Sequence, residues 1–191
     1  MSKDTSTFEA TINGHTFTFA THPRCFSPRQ VDAGTLAMLS VMALSPADKV
    51  LDLGCGYGMV GLYAAQHTAP EHVMMADLCP TSVACARHNA ELNGTPGILF
   101  AISDGFANIS AHNFTVIASN PPYHADFAVP KHFIEKGFQR LAIGGKFYMV
   151  TKRRDWYKNK FISVFGGVKI HAIGDYFVFE AEKRPTKKIK D

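Results

Sequence analysis

Three glycines at alternate positions, Gly54, Gly56 and Gly58, separate the apolar run Val50-Leu51-Asp52-Leu53 from a stretch with helical apolar spacing, 59–67. Glycine lets a backbone turn sharply and lets a ligand approach it without side-chain obstruction. A short buried strand that breaks into such a turn and passes straight into a helix belongs to parallel sheets covered by helices. The chain keeps this alternation. Further strands are expected at 72–76, 97–101, 114–118 and 146–151, and helices at 80–92, 131–141 and 155–165. Asn93-Gly94 and Gly144-Gly145 stop the first two of these helices. The runs 168–173 and 176–181 are joined too closely for a crossover helix, so they must pair antiparallel. The expected fold class is α/β: a mostly parallel seven-stranded sheet with an antiparallel C-terminal strand and helices on both faces.

Before this core, Asn13-Gly14 divides two β-prone runs, a strong hairpin signal because both central positions must tolerate positive φ. A helix is expected at 31–42. One domain is anticipated: 1–45 as a hairpin and helix extension, 46–182 as the core, and 183–191 as a basic tail. A chain of 191 residues, 46% apolar and 19% charged, is long enough for one full core. No apolar run approaches the ~18 residues of a membrane span, and the polar start Met1-Ser2-Lys3-Asp4-Thr5 lacks a signal-peptide stretch. The four cysteines form no CxxC pair, which favours a reducing cytoplasm. The nine histidines show no metal-ligand spacing, so no metal is expected. Net charge is +4, and the tail carries much of it, more as a solvated terminus than a binding arm.

The glycine turn formally satisfies GxGxxG as Gly56-x-Gly58-x-x-Gly61, so a dinucleotide must be weighed. Two carboxylates bear on the choice. Asp52 precedes the glycines, where it would repel a pyrophosphate but can help bind an ammonium. Asp77 ends the second core strand, 19 residues beyond Gly58, where a carboxylate accepts from ribose hydroxyls. Taken singly, Asp52 reads equally as a satisfied turn carboxylate and Asp77 as a helix cap beside Pro80. Together they fit an adenosine cofactor with positive charge and no phosphate, S-adenosylmethionine. NAD-dependent oxidoreduction is the competing reading.

Asn120-Pro121-Pro122-Tyr123 follows the fourth core strand. Two prolines fix φ and donate no hydrogen bonds, leaving a rigid segment with outward carbonyls. An exocyclic amine is conjugated to its ring and is a poor nucleophile. If the Asn120 side-chain oxygen and the Pro121 carbonyl each accept one N–H, the nitrogen is drawn pyramidal and its lone pair aimed at a methyl donor. Tyr123 can stack on the planar group, with His124 beside it as a lining residue. Pro-Pro in other settings is simply a loop.

On these residues the sequence resembles the class I methyltransferases, with Val50 to Gly58 as the cofactor turn. It also resembles their small-domain branch, which modifies guanine at its exocyclic amine in ribosomal RNA. Phe26-Ser27, Asp32-x-Gly34, Asn120-Pro121-Pro122-Tyr123 and Leu141-x-x-Gly144-Gly145 carry that second likeness. The resemblance implies a Rossmann-like fold and a cofactor set of Asp52, Gly54, Cys55, Gly56, Gly58, Asp77, Leu78, Asp104, Gly105, Phe106 and Asn120. In it Asp77 meets the ribose and Asp104 the adenine amino group. Relatives often have phenylalanine where Tyr123 stands, and some carry a second, degenerate copy of the domain that has no counterpart in this sequence. Lys152, Arg153 and Arg154 follow the fifth core strand and can hold phosphates, in keeping with an RNA partner; a solvated helix start is the equal alternative. Adenine-N6, protein glutamine-N5 and a non-catalytic RNA-binding subunit stay open beside guanine N2. Oligomeric state is not readable.

Overall fold

The computed structural model describes residues 5–122 and 126–185. Strands β1 (Ser6–Ile12) and β2 (His15–Thr21) form a hairpin whose turn has Asn13 at φ 49° and Gly14 at φ 84°. Both values are positive, as the Asn-Gly pair requires. Helix α1 (Ala33–Leu39) follows, then β3 (Val50–Leu53), α2 (Met59–Ala64), β4 (Val73–Asp77) and α3 (Pro80–Leu92). The remaining elements are β5 (Leu99–Ile102), β6 (Phe114–Ser119), α4 (Ala128–Arg140), β7 (Leu141–Thr151), α5 (Asp155–Phe165), β8 (Lys169–Ile173) and β9 (Tyr176–Glu182).

The main sheet has seven strands in the order β5-β4-β3-β6-β7-β9-β8. Pairings from β5 through β7 are parallel, and β9 runs antiparallel to both β7 and β8. Strand alternation divides the core in two. Val50, Val116, Tyr148 and Val150 face one cluster with the hairpin, α1, α2 and α3. Leu51, Ile117, Phe147 and Met149 face another with α4 and α5. The α/β sheet covered on both faces is therefore found, with its single antiparallel strand inserted near one edge.

Element boundaries differ from expectation for identifiable reasons. Asp32 accepts the Thr35 N–H with its side chain and starts α1 at Ala33 rather than 31. Helix α2 ends at Ala64, where the chain tightens into i→i+3 bonds from Gln66 and His67. Helix α4 begins a turn before 131, because Pro130 sits in its first turn, where a missing N–H has no helical partner to lose. Strand β7 begins at Leu141 instead of 146. A register shift between Phe114 and Val116 absorbs Gly144-Gly145, and these glycines exchange backbone bonds with Lys183.

The hairpin is tied to the core by α3. Asn89 accepts the Ala20 N–H at 2.8 Å and donates to the Tyr57 carbonyl at 2.9 Å. One turn on, Asn93 accepts from Thr18 N–H and donates to Thr18 O. Two asparagines thus satisfy the open edge of β2, and the fully buried Asn89 also grips the glycine turn. Asn89→Ala strands a buried donor and a buried acceptor, so urea unfolding is expected to show a loss of about 2–4 kcal/mol.

Candidate active site

A cavity of about 380 Å³ opens at the carboxyl ends of β3, β4, β5 and β6. Strand order reverses between β3 and β6, and such switch points are where ligands bind in doubly wound sheets. The glycine turn forms its floor. Gly54 and Cys55 both donate N–H to the Ala76 carbonyl, at 2.8 and 3.0 Å. Gly56 donates to Asp77 Oδ2 at 2.9 Å, and Asp77 Oδ1 accepts from Cys79 N–H at 2.8 Å. Gly54, Gly56 and Gly58 have φ of 77°, 55° and 98°, the left-handed region that other residues resist. At Gly58 a Cβ would also press on Met75 and Ala86.

Asp52 lines the cavity although it is only 2% exposed. Its Oδ2 accepts the Gly61 N–H at 2.9 Å, one of the free donors in the first turn of α2. Burial pushes its pKa up to about 7; the Gly61 hydrogen bond opposes the rise and the Asp77 charge adds to it. Both of these carboxylates therefore act in the turn itself while bordering the cavity. Burial likewise raises the Cys55 thiol.

Leu78, 65% exposed, borders the cavity, as do the exposed Asp104 and the buried Gly105. Phe106 does not: it is buried in the cluster beneath, with α4 and α5. At the opposite end stand Asn120, Pro121 and Pro122. Asn120 Nδ2 donates to Asp32 Oδ2 at 2.8 Å and to Thr35 Oγ1 at 2.9 Å. A carboxylate only accepts, so the contact with Asp32 fixes which end of the amide is nitrogen. Asn120 Oδ1 is buried and has no hydrogen-bond partner among the described residues. Tyr123 and His124 lie outside the described residues.

Lys152, Arg153 and Arg154 are exposed beyond the end of β7, outside the cavity lining. Lys152 Nζ lies 5.0 Å from the Tyr176 ring centroid, and the Arg153 guanidinium 5.0 Å from that of Phe127. Phe127 also stacks on Trp156 at 4.4 Å. Lys152 and Arg153 thus belong to an aromatic and basic rim at the same end of the sheet, while Arg154 lies 3.9 Å from the Asp155 carboxylate.

Several lining residues had no role from the sequence: Arg24, Phe26, Asp32, Thr35 and Phe133. Phe26 and Asp32 fall in short matches that a pattern reading can flag. Nothing in the sequence marks Arg24, which reaches the cavity from the irregular segment between β2 and α1. Among the described residues no group of three or more histidine, cysteine, aspartate or glutamate side chains is arranged to hold a metal ion. No helix among them is long and apolar enough to cross a membrane.

The sheet order, the glycine turn and the cavity at the switch point define a Rossmann-like methyltransferase fold. The chain belongs to the methyltransferase small domain family, whose model matches residues 16–180; the family is S-adenosylmethionine-dependent. It is 29% identical to ribosomal RNA large subunit methyltransferase G of Klebsiella pneumoniae, across 90% of this chain and 48% of that protein. The uncharacterized protein YbxB of Bacillus subtilis is 30% identical across 78% of this chain and 75% of its own length. Among solved structures, the 16S rRNA N2 methyltransferase RsmC of T. thermophilus, in complex with AdoMet and guanosine, superposes with a TM-score of 0.85 at 28% identity. That match covers 96% of this chain and 52% of RsmC. The chain thus spans about half the length of the two rRNA methyltransferases named.

The Asp52 carboxyl has a direct consequence for stability. Its folded pKa, about 7, is raised above the unfolded value near 3.8. Between these values the unfolded chain has lost the proton that the folded chain keeps, so this group's contribution falls as pH rises from about 4 to about 7. Asp52→Asn retains an acceptor for Gly61 and has no such dependence. Thermal melts of the cofactor-free proteins should show the variant gaining on wild type from pH 5 to pH 8; a constant difference would remove the buried-acid account.

Proposed function

We propose that the chain is an S-adenosylmethionine-dependent N-methyltransferase acting on an exocyclic amino group of a nucleobase in RNA, with guanine N2 of ribosomal RNA as the preferred acceptor. The observation that carries this reading is Asn120. Its nitrogen is held by Asp32 and Thr35, and its buried oxygen is left as an unused acceptor. An acceptor there suits a substrate that brings N–H groups.

The charges of the cavity favour this donor over a dinucleotide. Among its described lining residues are four aspartates, Asp32, Asp52, Asp77 and Asp104, and one lysine or arginine, Arg24. A pyrophosphate would face that acid, whereas a sulfonium and an ammonium complement it. S-adenosylmethionine supplies, when bound, an electrophilic methyl on a cationic sulfur. Asp77 is the acceptor for the ribose hydroxyls, Asp104 for the adenine amino group, and Leu78 an apolar wall. The backbone of Gly54, Cys55, Gly56 and Gly58 allows close packing, while Asp52 adds negative charge near the ammonium. Arg24 pairs with the carboxylate. Neither Asp52 nor any histidine is required as a base for transfer.

At the other end, Asn120 Oδ1 and the Pro121 carbonyl accept the two N–H groups of the substrate amine. The nitrogen loses conjugation with its ring and presents its lone pair. The N–C bond forms as the C–S bond breaks, and the cationic nitrogen then releases a proton to water. Pro121 and Pro122 hold this geometry, and Tyr123 and His124 are assigned to the base. Lys152, Arg153 and Arg154, with Trp156 and Phe127 alongside, are assigned to phosphates and stacking on the RNA. The names of the relatives supply the preference for ribosomal RNA. In this reading 46–182 is the catalytic unit, 1–45 its hairpin and helix extension, 183–191 a basic tail, and the protein acts in the cytoplasm.

Asn120→Ala is expected to reduce methyl transfer roughly 100-fold or more while cofactor affinity by calorimetry is nearly unchanged. The acceptor class is tested with tritiated S-adenosylmethionine and whole-cell fractions. Label in ribosomal RNA, recovered as N2-methylguanine, supports the proposal. Label confined to protein would replace it with glutamine methylation, and label in N6-methyladenine would move it to adenine.

Arg24→Ala is expected to weaken S-adenosylhomocysteine about ten-fold, as loss of a charge-assisted contact implies. Methylthioadenosine, which lacks the amino-acid carboxylate, should bind both proteins alike. Equal weakening of the two ligands would show that Arg24 only shapes the cavity.

A further inference from the structure

Asp32 lies far from the Asn-Pro-Pro motif in sequence, yet its Oδ2 accepts two hydrogen bonds at once: the Thr35 N–H at 3.0 Å and Asn120 Nδ2 at 2.8 Å. The first caps α1. The second has no part in the helix. Thr35 Oγ1, in a residue 7% exposed, is the other acceptor for Asn120 Nδ2 at 2.9 Å. An amide nitrogen has two hydrogens, and both are thereby taken by the first turn of α1.

This arrangement makes the Asn120 amide one-directional. Rotating it by half a turn would set its oxygen against the Asp32 carboxylate, two acceptors with no proton between them, and leave two donors aimed away from their partners. Burial sharpens that penalty, since an unpaired polar contact in a low-dielectric interior is costly. The unpartnered atom of Asn120 is consequently always an acceptor, never a donor.

The geometry points to Asp32 as the positioning residue that fixes Asn120 as a hydrogen-bond acceptor and so restricts the reactive group of the substrate to one carrying N–H. The proposal rests on the amine-transfer reading. It extends that reading by giving the choice of an amine over a ring nitrogen or carbonyl oxygen a structural origin outside the motif. A ring nitrogen without a hydrogen, or a carbonyl oxygen, brings only lone pairs and would meet the Asn120 oxygen with another acceptor. Asp32 touches neither reacting partner in this scheme; it acts through Asn120.

A test must separate positioning from capping. Serine is an equally good cap, but its side chain is too short to reach Asn120. Asparagine can place one oxygen where Asp32 Oδ2 lies and accept both N–H groups there. Asp32→Ser should therefore keep the helix cap and a cooperative melt, with cofactor affinity no weaker than that of Asp32→Asn, while kcat for ribosomal RNA from cells lacking the protein falls roughly 10- to 100-fold. The KM for RNA should change little, and Asp32→Asn should restore kcat to within a few-fold of wild type. In parallel, hydrogen exchange of the Asn120 side-chain amide, assigned with Asn120→Ala, should be slow in wild type and Asp32→Asn and fast in Asp32→Ser.

Wild-type kcat in Asp32→Ser overturns the proposal, as does a loss that Asp32→Asn fails to restore. If the wild-type protein transfers no methyl group to RNA, the amine-transfer reading fails by itself. The exchange measurement then judges the clamp alone, and unchanged amide exchange in Asp32→Ser refutes it.

Discussion

Four backbone N–H groups converge on two adjacent residues at the end of β4, and the site takes its shape from them. Gly54 and Cys55 donate to the Ala76 carbonyl, and Gly56 and Cys79 to the two oxygens of Asp77. The convergence follows from register. Leu53 pairs with Ala76 in parallel, so the chain leaving β3 must turn across the end of β4. Only left-handed backbone can aim successive N–H groups at that end, which is why the glycines alternate. The same bonds orient the start of α2 and carry the chain from β4 toward α3.

Two side chains then join distant segments to this frame. Asn89 couples the hairpin to the Tyr57 carbonyl within the glycine turn. Asp32 couples α1 to Asn120 beyond β6. Neither link repeats a backbone pattern, and both use a polar side chain with more than one partner. They explain why the segment before β3 belongs to the site: it supplies Arg24, Phe26, Asp32 and Thr35 to the cavity wall.

The sheet was legible in the sequence because its signals are local. Alternating apolar runs, Asn-Gly at the hairpin and three glycines after Leu53 each fix backbone geometry on their own. Pro80 opening α3 and Gly94, at φ 70°, following its last turn behaved as their stereochemistry demands. Boundaries failed where a local cap went unread, as at Asp32, or where a tertiary contact overrode the local pattern, as with the register shift at Gly144-Gly145. The floor of the cavity was readable for the same reason, since Asp52 and Asp77 flank the turn. Its near wall was not. Asp32 and Asn120 meet only when α1 packs beside the end of β6, and Arg24 sits in a segment with no periodicity. Phe106 misled in the other direction: adjacent to Asp104 and Gly105, it points into the core while they border the cavity.

The formal match to GxGxxG shows why backbone alone does not name a ligand. A glycine turn opening a helix accommodates any group that must approach closely, and the helix end favours anions. Here Asp52 occupies that end, accepting the Gly61 N–H that a phosphate would otherwise use. Its neighbour Asp77 raises rather than lowers its pKa, so the carboxylates around the turn oppose one another, and Arg24 stands against four aspartates in the described lining. A ligand carrying an ammonium and a sulfonium relieves that opposition, and a pyrophosphate intensifies it. Selection among adenosine cofactors therefore follows from the charges set into a shared backbone, and binding of the cationic one is linked to stability through the same buried acid.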